Sequence, residues 1–542
     1  MDRAVALLDW ANAAGADTGC VRIGCSRFGG MGLFATRALP RGATAFRCPC
    51  TLALSGAHAL ADGTVGDALG SMAHALDDEQ LVMLLLLHCK RQGATSPWAA
   101  YVNTLPNEAE ASALLPAFWP EAEQRGLLEG TPLLRQARES VAALHDFHDI
   151  VQHQLVAQWP DAFPADSFSF ERLCWAYAMW QSRAIRLEMP GGARRCLVPL
   201  LDMMNHSSGL PSTVTLERRG STGGDTTWKG NAGGGATCDD PSAASVSATT
   251  CSANSGAASI EGGMFAVACG RAVGEGEEIY LDYGAKGNAE LLRCHGFVLD
   301  PNLADVEPSE FGRADADEVA LRHRALGERT ARGPRAQVRL HFFLFTGGLP
   351  PLLVPTLRVL CAAPGAELAA ALAVADGGDD GCGGGGEGAQ QFDWGLVDWS
   401  ADDPFAAACD AVRTESPAGD ECERRTLRTL VALLQRQLAR LPTLEAPSPS
   451  IDGIAAEWDS AHRRAAAVAE RQRLAQVYVS GQRAILHETI ATVESLIRKV
   501  AAPNPGGELG RSKRHGGDED EGSTREGRDC GGPLRKQPKN AA

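Results

Sequence analysis

The spacing of hydrophobic and polar positions changes period several times along this chain. It begins helical, with Val5, Leu7, Leu8 and Trp10 recurring directly after Met1-Asp2-Arg3. Residues 20–55 then read as strands broken by glycine: Val21-Arg22-Ile23, a loop from Phe28 to Gly32, Leu33-Phe34-Ala35, a second turn at Arg41-Gly42, and Ala45-Phe46. Residues 77–190 are mostly helical in pattern. Asp77-Asp78-Glu79-Gln80 is an acidic helix start, favoured at the positive end of the helix dipole, and it precedes the longest apolar block, Leu81 to Leu87. Phe170, Trp175, Tyr177 and Trp180 stand at helical spacing and read as a core stripe. Leu197-Val198-Pro199-Leu200-Leu201 reads as a buried strand running toward Asn205, and Met264 to Ala268 as another strand.

Two stretches break this regularity. Residues 207–262 are dense in Gly, Ser, Ala and Thr and poor in large apolar groups, so they are expected to be a disordered insertion inside a folded unit. Residues 375–390 form a second glycine-rich insertion. From about 318 to 500 the pattern is helical: Val338 to Phe345 is strongly apolar, Arg425 to Leu441 carries Leu427, Leu430, Leu433, Leu434, Leu438 and Leu441 on one face, and Arg471 to Val500 is a long helix. Residues 503–542 read as a disordered tail of glycine and mixed charge, in which Lys513-Arg514-His515 is too short to stand as a nuclear signal.

Composition narrows the picture. A chain of 542 residues is long enough for two or three domains. Lacking any run of eighteen apolar residues, it is not expected to span a membrane. The net charge of −16 repels a phosphate backbone, so no nucleic-acid partner is expected. The 16 cysteines are scattered without a C-x-x-C pair, which points to free thiols in a reducing compartment and to no structural metal. With no apolar leader before the first helical repeat, the cytosol is the expected compartment, with the nucleus as the alternative. A monomer is expected.

The candidate chemistry lies in three short segments: Gly29-Gly30-Met31-Gly32-Leu33-Phe34-Ala35; Asp202-Met203-Met204-Asn205-His206; and Glu278-Ile279-Tyr280-Leu281-Asp282-Tyr283-Gly284, followed by Asn288 and Gly296-Phe297. Glycine turns let main chain approach a bound molecule closely, although Gly29 to Gly32 also reads as an ordinary hairpin turn. An Asn can both donate to and accept from an amino-acid zwitterion. A tyrosine hydroxyl and backbone carbonyls can hold a methyl group and an incoming amine.

In this order the segments resemble the SET-domain family of protein methyltransferases. The closer similarity is to the branch that includes the Rubisco large-subunit lysine methyltransferase and the actin-histidine methyltransferase. The resemblance implies an α+β fold: a β-rich SET domain over residues 1–310, split by a helical insert at about 60–195, and an all-helical substrate-binding domain over 318–500. It implies S-adenosylmethionine as cofactor and a protein substrate. By position, Gly29, Gly30, Met31 and Gly32 match main-chain cofactor contacts. Arg183 matches an arginine near the cofactor's carboxylate. Asn205 and His206 match the pair at its amino-acid end. Tyr283 matches the tyrosine of the methyl-transfer site, and Phe297 an aromatic on the adenine. Ser182, Arg183 and Asp202 match substrate-side positions. His295 stands where some relatives have Tyr, so one wall of the acceptor channel departs from the pattern. No cysteine cluster follows Phe297, unlike the zinc-closed chromatin enzymes, which implies a non-histone substrate.

The resemblance leaves three readings. Ser182-Arg183-Ala184-Ile185 lacks the polar amides of the histidine branch, which favours a protein-lysine N-methyltransferase. A protein-histidine N-methyltransferase is the second reading, and a SET-fold binding module without catalysis the third.

Overall fold

The computed structural model describes residues 2–27, 30–189, 192–208, 211–218, 228–230, 263–311, 340–345, 420–444 and 460–501, with Leu349, Leu353, Val354 and Leu357 besides. Gly29, most of the first insertion, the whole of the second, and the tail lie outside the described residues.

Helix α1 (Asp2–Ala13) leads into β1 (Val21–Cys25), β2 (Met31–Ala35) and β3 (Thr44–Pro49). Eight helices follow in turn: α2 (Gly56–Ala61), α3 (Gly66–Ser71), α4 (Asp78–Gln92), α5 (Ala99–Val102), α6 (Glu108–Leu114), α7 (Glu121–Leu128), α8 (Pro132–Ile150) and α9 (Phe170–Arg183). Strand structure resumes with the hairpin β4 (Ile185–Met189) and β5 (Gly192–Cys196), then β6 (Thr213–Arg218), β7 (Trp228–Gly230), β8 (Gly263–Ala268) and β9 (Glu278–Ile279). A short helix α10 (Asn288–Glu290) runs on as a π-helical turn to His295. The remainder comprises β10 (Val306–Phe311), β11 (Leu340–Phe345), α11 (Asp420–Arg440) and α12 (Ser460–Ala501).

The acidic helix start is a capping box: Asp77 accepts from the Gln80 amide, and Gln80 returns a hydrogen bond to the Asp77 amide. Behind it Leu81 through Cys89 is buried without a break. A helix buried around its circumference needs neighbours on several sides, and α9 is one. The aromatic stripe of α9 is core: Trp175, Tyr177 and Trp180 are buried, and Phe170 stacks on His145 with ring centroids 3.8 Å apart. One apolar core joins the N-terminal strands to α4 and α9.

Two small antiparallel sheets frame the region of the three segments. One has the order β1-β2-β9; the other runs β3-β8-β6-β7. Pairing of Leu33 with Ile279 brings the first and third segments side by side, although some 245 positions separate them in the chain.

Three expectations are corrected. Residues 213–218 are not part of an unstructured insertion. They form β6, fully paired with β8, because Val214 and Leu216 meet Val267 and Phe265 across the ladder. Two apolar side chains suffice in a strand whose partner supplies the rest of the hydrophobic surface. The helical stretch read to 190 ends at Arg183, and the β4–β5 hairpin takes its place. Residues 340–345, read within a helical region, form β11, paired with β10 from Val306↔Phe345 to Phe311↔Leu340. A short continuous apolar run carries no periodicity by which strand and helix can be told apart.

The C-terminal helices share a second core with the insert. Leu427, Leu430 and Leu434 of α11 and Tyr478 of α12 cluster with Trp119, Leu128, Leu133 and Leu134. Arg471 of α12 donates to both carboxylate oxygens of Glu123, at 2.6 and 2.8 Å, in the two-pronged geometry that a guanidinium makes best. A buried carboxylate, Asp305, accepts from the Asn288 amide at 2.8 Å and from its side chain at 3.2 Å. Gln482 of α12 donates to the Val306 carbonyl next to it. A Cβ at Gly481 would stand 2.8 Å from Asp305 Oδ2, so glycine lets α12 come this close. Among the described residues, no helix is long and apolar enough to cross a membrane.

Val214→Asp is expected to destabilise the protein by at least ~2 kcal/mol, because it puts a charge against Val267 in the core. Thr213→Asp, on the exposed neighbour, should stay within about 0.5 kcal/mol. Urea unfolding of both variants checks this, and two silent substitutions would mean that the β6 segment does not pack.

Candidate active site

The second segment arrives by an irregular path. Leu197 bridges to Leu54, but the backbone then leaves extended geometry. Leu200 has φ +73°, the one positive-φ residue other than glycine among the described residues, and Leu201–Met203 is a 3₁₀ turn. Asn205 therefore follows a tight turn and not the end of a strand as expected. A buried leucine in this region of φ is strained and is held there by its surroundings.

Asn205 is fixed on both sides. Its Nδ2 donates to Glu278 Oε1 at 2.6 Å and to the Met31 carbonyl at 3.2 Å, and its own carbonyl accepts from the Leu281 amide at 2.9 Å. Ser207 returns an amide hydrogen bond to the Leu281 carbonyl. All three segments are thus joined through one residue. Gly32 allows the approach, since a Cβ there would stand 2.2 Å from Glu278 Oε1 and 3.1 Å from Asn205 Nδ2. The Gly30 carbonyl accepts from the Ser26 amide, and Gly30 itself has φ +69°, which suits glycine. The carbonyls of Gly30 and Met31 are therefore engaged within the protein.

Glu278 is 6% exposed and is the group that sequence reasoning left without a role. Besides Asn205 it accepts from Ser26 Oγ and from the Tyr280 hydroxyl, each at 3.0 Å. A carboxylate at the head of an apolar strand is the signal that could have found it.

Tyr283 is held by two further hydrogen bonds. Its hydroxyl donates to the Met204 carbonyl at 2.9 Å, and its amide donates to His206 Nδ1 at 3.1 Å. Burial raises the phenol's pKa well above its ordinary value, so the hydroxyl keeps its proton as a donor. The Tyr283 ring stands 5.2 Å from His206, 4.8 Å from His295 and 6.3 Å from Phe297, centroid to centroid. Four aromatic rings predicted as site residues are thus gathered into one group. Burial lowers the pKa of His206, as it does that of His295, so both rings are neutral near pH 7.

On the other side Arg183 donates through Nη1 to the Asp202 carbonyl at 3.2 Å and to Asp202 Oδ2 at 3.4 Å. Tyr101, from the helical insert and also missed by sequence reasoning, donates to the same Oδ2 at 2.8 Å. Burial raises the Asp202 pKa, and the Arg183 charge works against that rise. The Ser182 hydroxyl turns back to the Ala178 carbonyl within α9, and its own carbonyl accepts from His295 Nδ1 at 3.2 Å. Two polar atoms here lack a partner among the described residues although buried: Arg183 Nε, a donor, and Asp202 Oδ1, an acceptor. Such atoms call for a ligand or water.

The structure thus brings Gly30, Met31, Gly32, Ser182, Arg183, Asp202, Asn205, His206, Tyr283, His295 and Phe297 into one connected region. Gly29 lies outside the described residues. No three His, Cys, Asp or Glu side chains gather as a metal site among the described residues.

No protein-family model matches the chain. It is similar to the actin-histidine N-methyltransferase of Danio rerio, 25% identical over 291 residues, which make up 52% of this chain and 39% of that protein. The enzyme of the same name from Homo sapiens is 25% identical over 285 residues, 51% of this chain and 39% of the relative. The matched stretch therefore spans about two-fifths of these relatives' length. Among solved structures, the SET domain of LSMT bound to lysine and AdoHcy aligns over 94% of this chain and 97% of that one, with a TM-score of 0.57 and 17% identity. Rubisco LSMT bound to sinefungin and monomethyllysine aligns over 92% and 93%, with a TM-score of 0.60 and 16% identity. The chain has the SET-domain fold, and its resemblance is to the branch that these proteins represent.

The His295 ring has an expected signature. Unfolded, an imidazole titrates near 6.5; here burial holds it down to about 3. Between those values the unfolded chain binds a proton that the folded chain does not, so folding stability falls as pH drops through this window. His295→Gln should flatten that decline relative to the wild type, read as the difference in Tm between about pH 7 and about pH 4. An unchanged acid limb in a folded variant would mean that the ring is solvated.

Proposed function

We propose that the chain is an S-adenosylmethionine-dependent protein N-methyltransferase, and that its acceptor is a lysine of a non-histone protein. The observation that carries the reading is the gathering of Asn205, held by the Glu278 carboxylate, Arg183, held by Asp202, and Tyr283, held by the Met204 carbonyl, with polar valences left over that suit an amino-acid zwitterion. Arg183 Nε is an unused buried donor for a carboxylate. Asn205 has both amide hydrogens committed, which leaves Oδ1 to accept from an ammonium. Phe297, at the edge of the aromatic group, offers a face to an adenine.

Bound S-adenosylmethionine supplies a methyl group made electrophilic by its sulfonium. The residues of this chain have three tasks: hold the acceptor in line, exclude water and keep the acceptor neutral. Tyr283 and the Met204 carbonyl present a hydroxyl and a carbonyl oxygen at one point, and both positions are fixed before substrate arrives. The aromatic rings around Tyr283 exclude water and disfavour a charged amine, which promotes loss of its proton.

Lysine is favoured by the wall after Arg183. Ala184 and Ile185 pack against the core as apolar side chains and offer nothing to orient an imidazole. LSMT, which shares the fold, has been solved with lysine and with monomethyllysine. A histidine acceptor is the second reading, and it is favoured by the names of the relatives similar in sequence. Actin and Rubisco are therefore the first substrates to try.

Asn205→Ala should weaken binding of S-adenosylmethionine by on the order of 1–3 kcal/mol, measured by calorimetry. No binding to the folded wild type would leave only the reading of a protein-binding module.

Tyr283→Phe should leave cofactor affinity largely intact and lower turnover by roughly 10²–10³, the size of effect seen when one active-site donor is lost. The rate of methyl transfer from labelled cofactor should rise between about pH 7 and about pH 9 for a lysine acceptor, whose unperturbed pKa is about 10.4, and stay flatter for histidine. A flat profile with chemistry rate-limiting would transfer the assignment to histidine.

A further inference from the structure

The Asp202 side chain has no exposed surface, and the donors that reach its carboxylate come from two different helices. Tyr101, wholly buried on α5 of the insert, donates to Oδ2 at 2.8 Å. Arg183, at the end of α9, reaches the same oxygen only at 3.4 Å. The phenol is therefore the closer donor, and a hydrogen bond to an ionised carboxylate is about twice as strong as one between neutral groups. Oδ1 has no partner among the described residues that could take the phenol's place. Arg183 in turn is held through Nη1, by the Asp202 carbonyl and carboxylate together, while its Nε stays buried and unpartnered among the described residues.

We propose that Tyr101 is a positioning residue: its hydroxyl keeps the Asp202 carboxylate charged and oriented, and Asp202 in turn holds the Arg183 guanidinium that takes the cofactor's carboxylate. The inference rests on the S-adenosylmethionine reading above, and it gives the helical insert a part in cofactor binding. Burial drives the Asp202 pKa up, while the Arg183 charge and the Tyr101 hydrogen bond hold it back. Without the phenol, burial is less opposed, and Asp202 takes up a proton at a higher pH. A neutral Asp202 no longer pairs with Arg183, so the guanidinium loses its orientation. Cofactor affinity then falls as pH drops through that transition. Arg183 is the cation that faces the carboxylate. The other titratable groups around this cluster are Cys48 of β3, Cys196 of β5 and Tyr283, which burial keeps protonated, and His206 and His295, which burial keeps neutral. None of these changes charge between about pH 6.5 and about pH 8.

The test uses the full chain, with AdoHcy as the probe and calorimetry as the readout. Binding to the wild type is measured first. Its absence rejects the methyltransferase reading and this inference with it, whereas the results below bear on Tyr101 alone. Tyr101→Phe removes one oxygen and keeps the ring. It should bind AdoHcy about tenfold more weakly than the wild type at about pH 6.5 and within about twofold of it at about pH 8, as loss of one hydrogen bond that counts only when Asp202 protonates would do. 3-Fluorotyrosine in place of Tyr101 is a more acidic phenol and a better donor, so it should hold its affinity to a lower pH than the wild type. A packing role for the ring would weaken binding by the same factor at every pH. In an Asp202→Asn background no carboxyl titrates here, and adding Tyr101→Phe should bring no pH-dependent loss. A loss equal at the two pH values, unchanged affinity at both, a pH-dependent loss that survives Asp202→Asn, or a fluorotyrosine protein that shifts in the same direction as the Phe variant overturns the proposal.

Discussion

The hydrogen-bonded contact between the Glu278 carboxylate and Asn205 is the constraint on which the site depends. A buried carboxylate is costly unless every oxygen is used. Glu278 meets that demand by drawing in Asn205 from the second segment, Ser26 from the turn before the first, and Tyr280 two residues on in the third. Asn205 in turn reaches the Met31 carbonyl. Were Gly32 any larger residue, its Cβ would occupy the space in which these groups meet. Three segments far apart in the chain are therefore held together by the cost of leaving one charge unsatisfied.

A second buried carboxylate, Asp202, joins elements on the opposite side through Oδ2, while its Oδ1 has no partner among the described residues. It ties Arg183, at the end of α9, and Tyr101, in the helical insert, to the turn that carries Asn205. The insert is thus part of the site and not an appendage to it. The strained backbone at Leu200 sits between the core and this turn, and its geometry is imposed by packing on both sides. A third carboxylate, Asp305, anchors Asn288 at the head of the turn that leads to His295 and Phe297, and α12 closes over it at Gly481. Because α12 also grips Glu123 through Arg471, the C-terminal helices brace both the insert and the aromatic group.

The electrostatic design of the region is consistent. Buried carboxylates are paired with donors, while the aromatic and imidazole groups are kept neutral by burial. His295, where the sequence departs from the family pattern, has its Nδ1 held by a single backbone carbonyl, that of Ser182.

Much of this was legible in the sequence, and for identifiable reasons. The capping residues of α4, its apolar run, the α9 aromatic stripe and the leucine face of α11 are local patterns, and local patterns follow from helical geometry alone. The order of the three segments pointed to the fold because each segment contains residue types that its backbone position demands. What the sequence could not decide was set by partners distant in the chain. Val214 and Leu216 are too sparse to announce a strand until β8 lies beside them. The apolar run at 340–345 is a strand only because β10 pairs with it. Glu278 and Tyr101 have no distinctive local pattern, and their roles arise from what tertiary folding buries next to them. Burial turns a charge or a hydroxyl into an obligation to find a partner, and only the folded chain determines which partner is within reach.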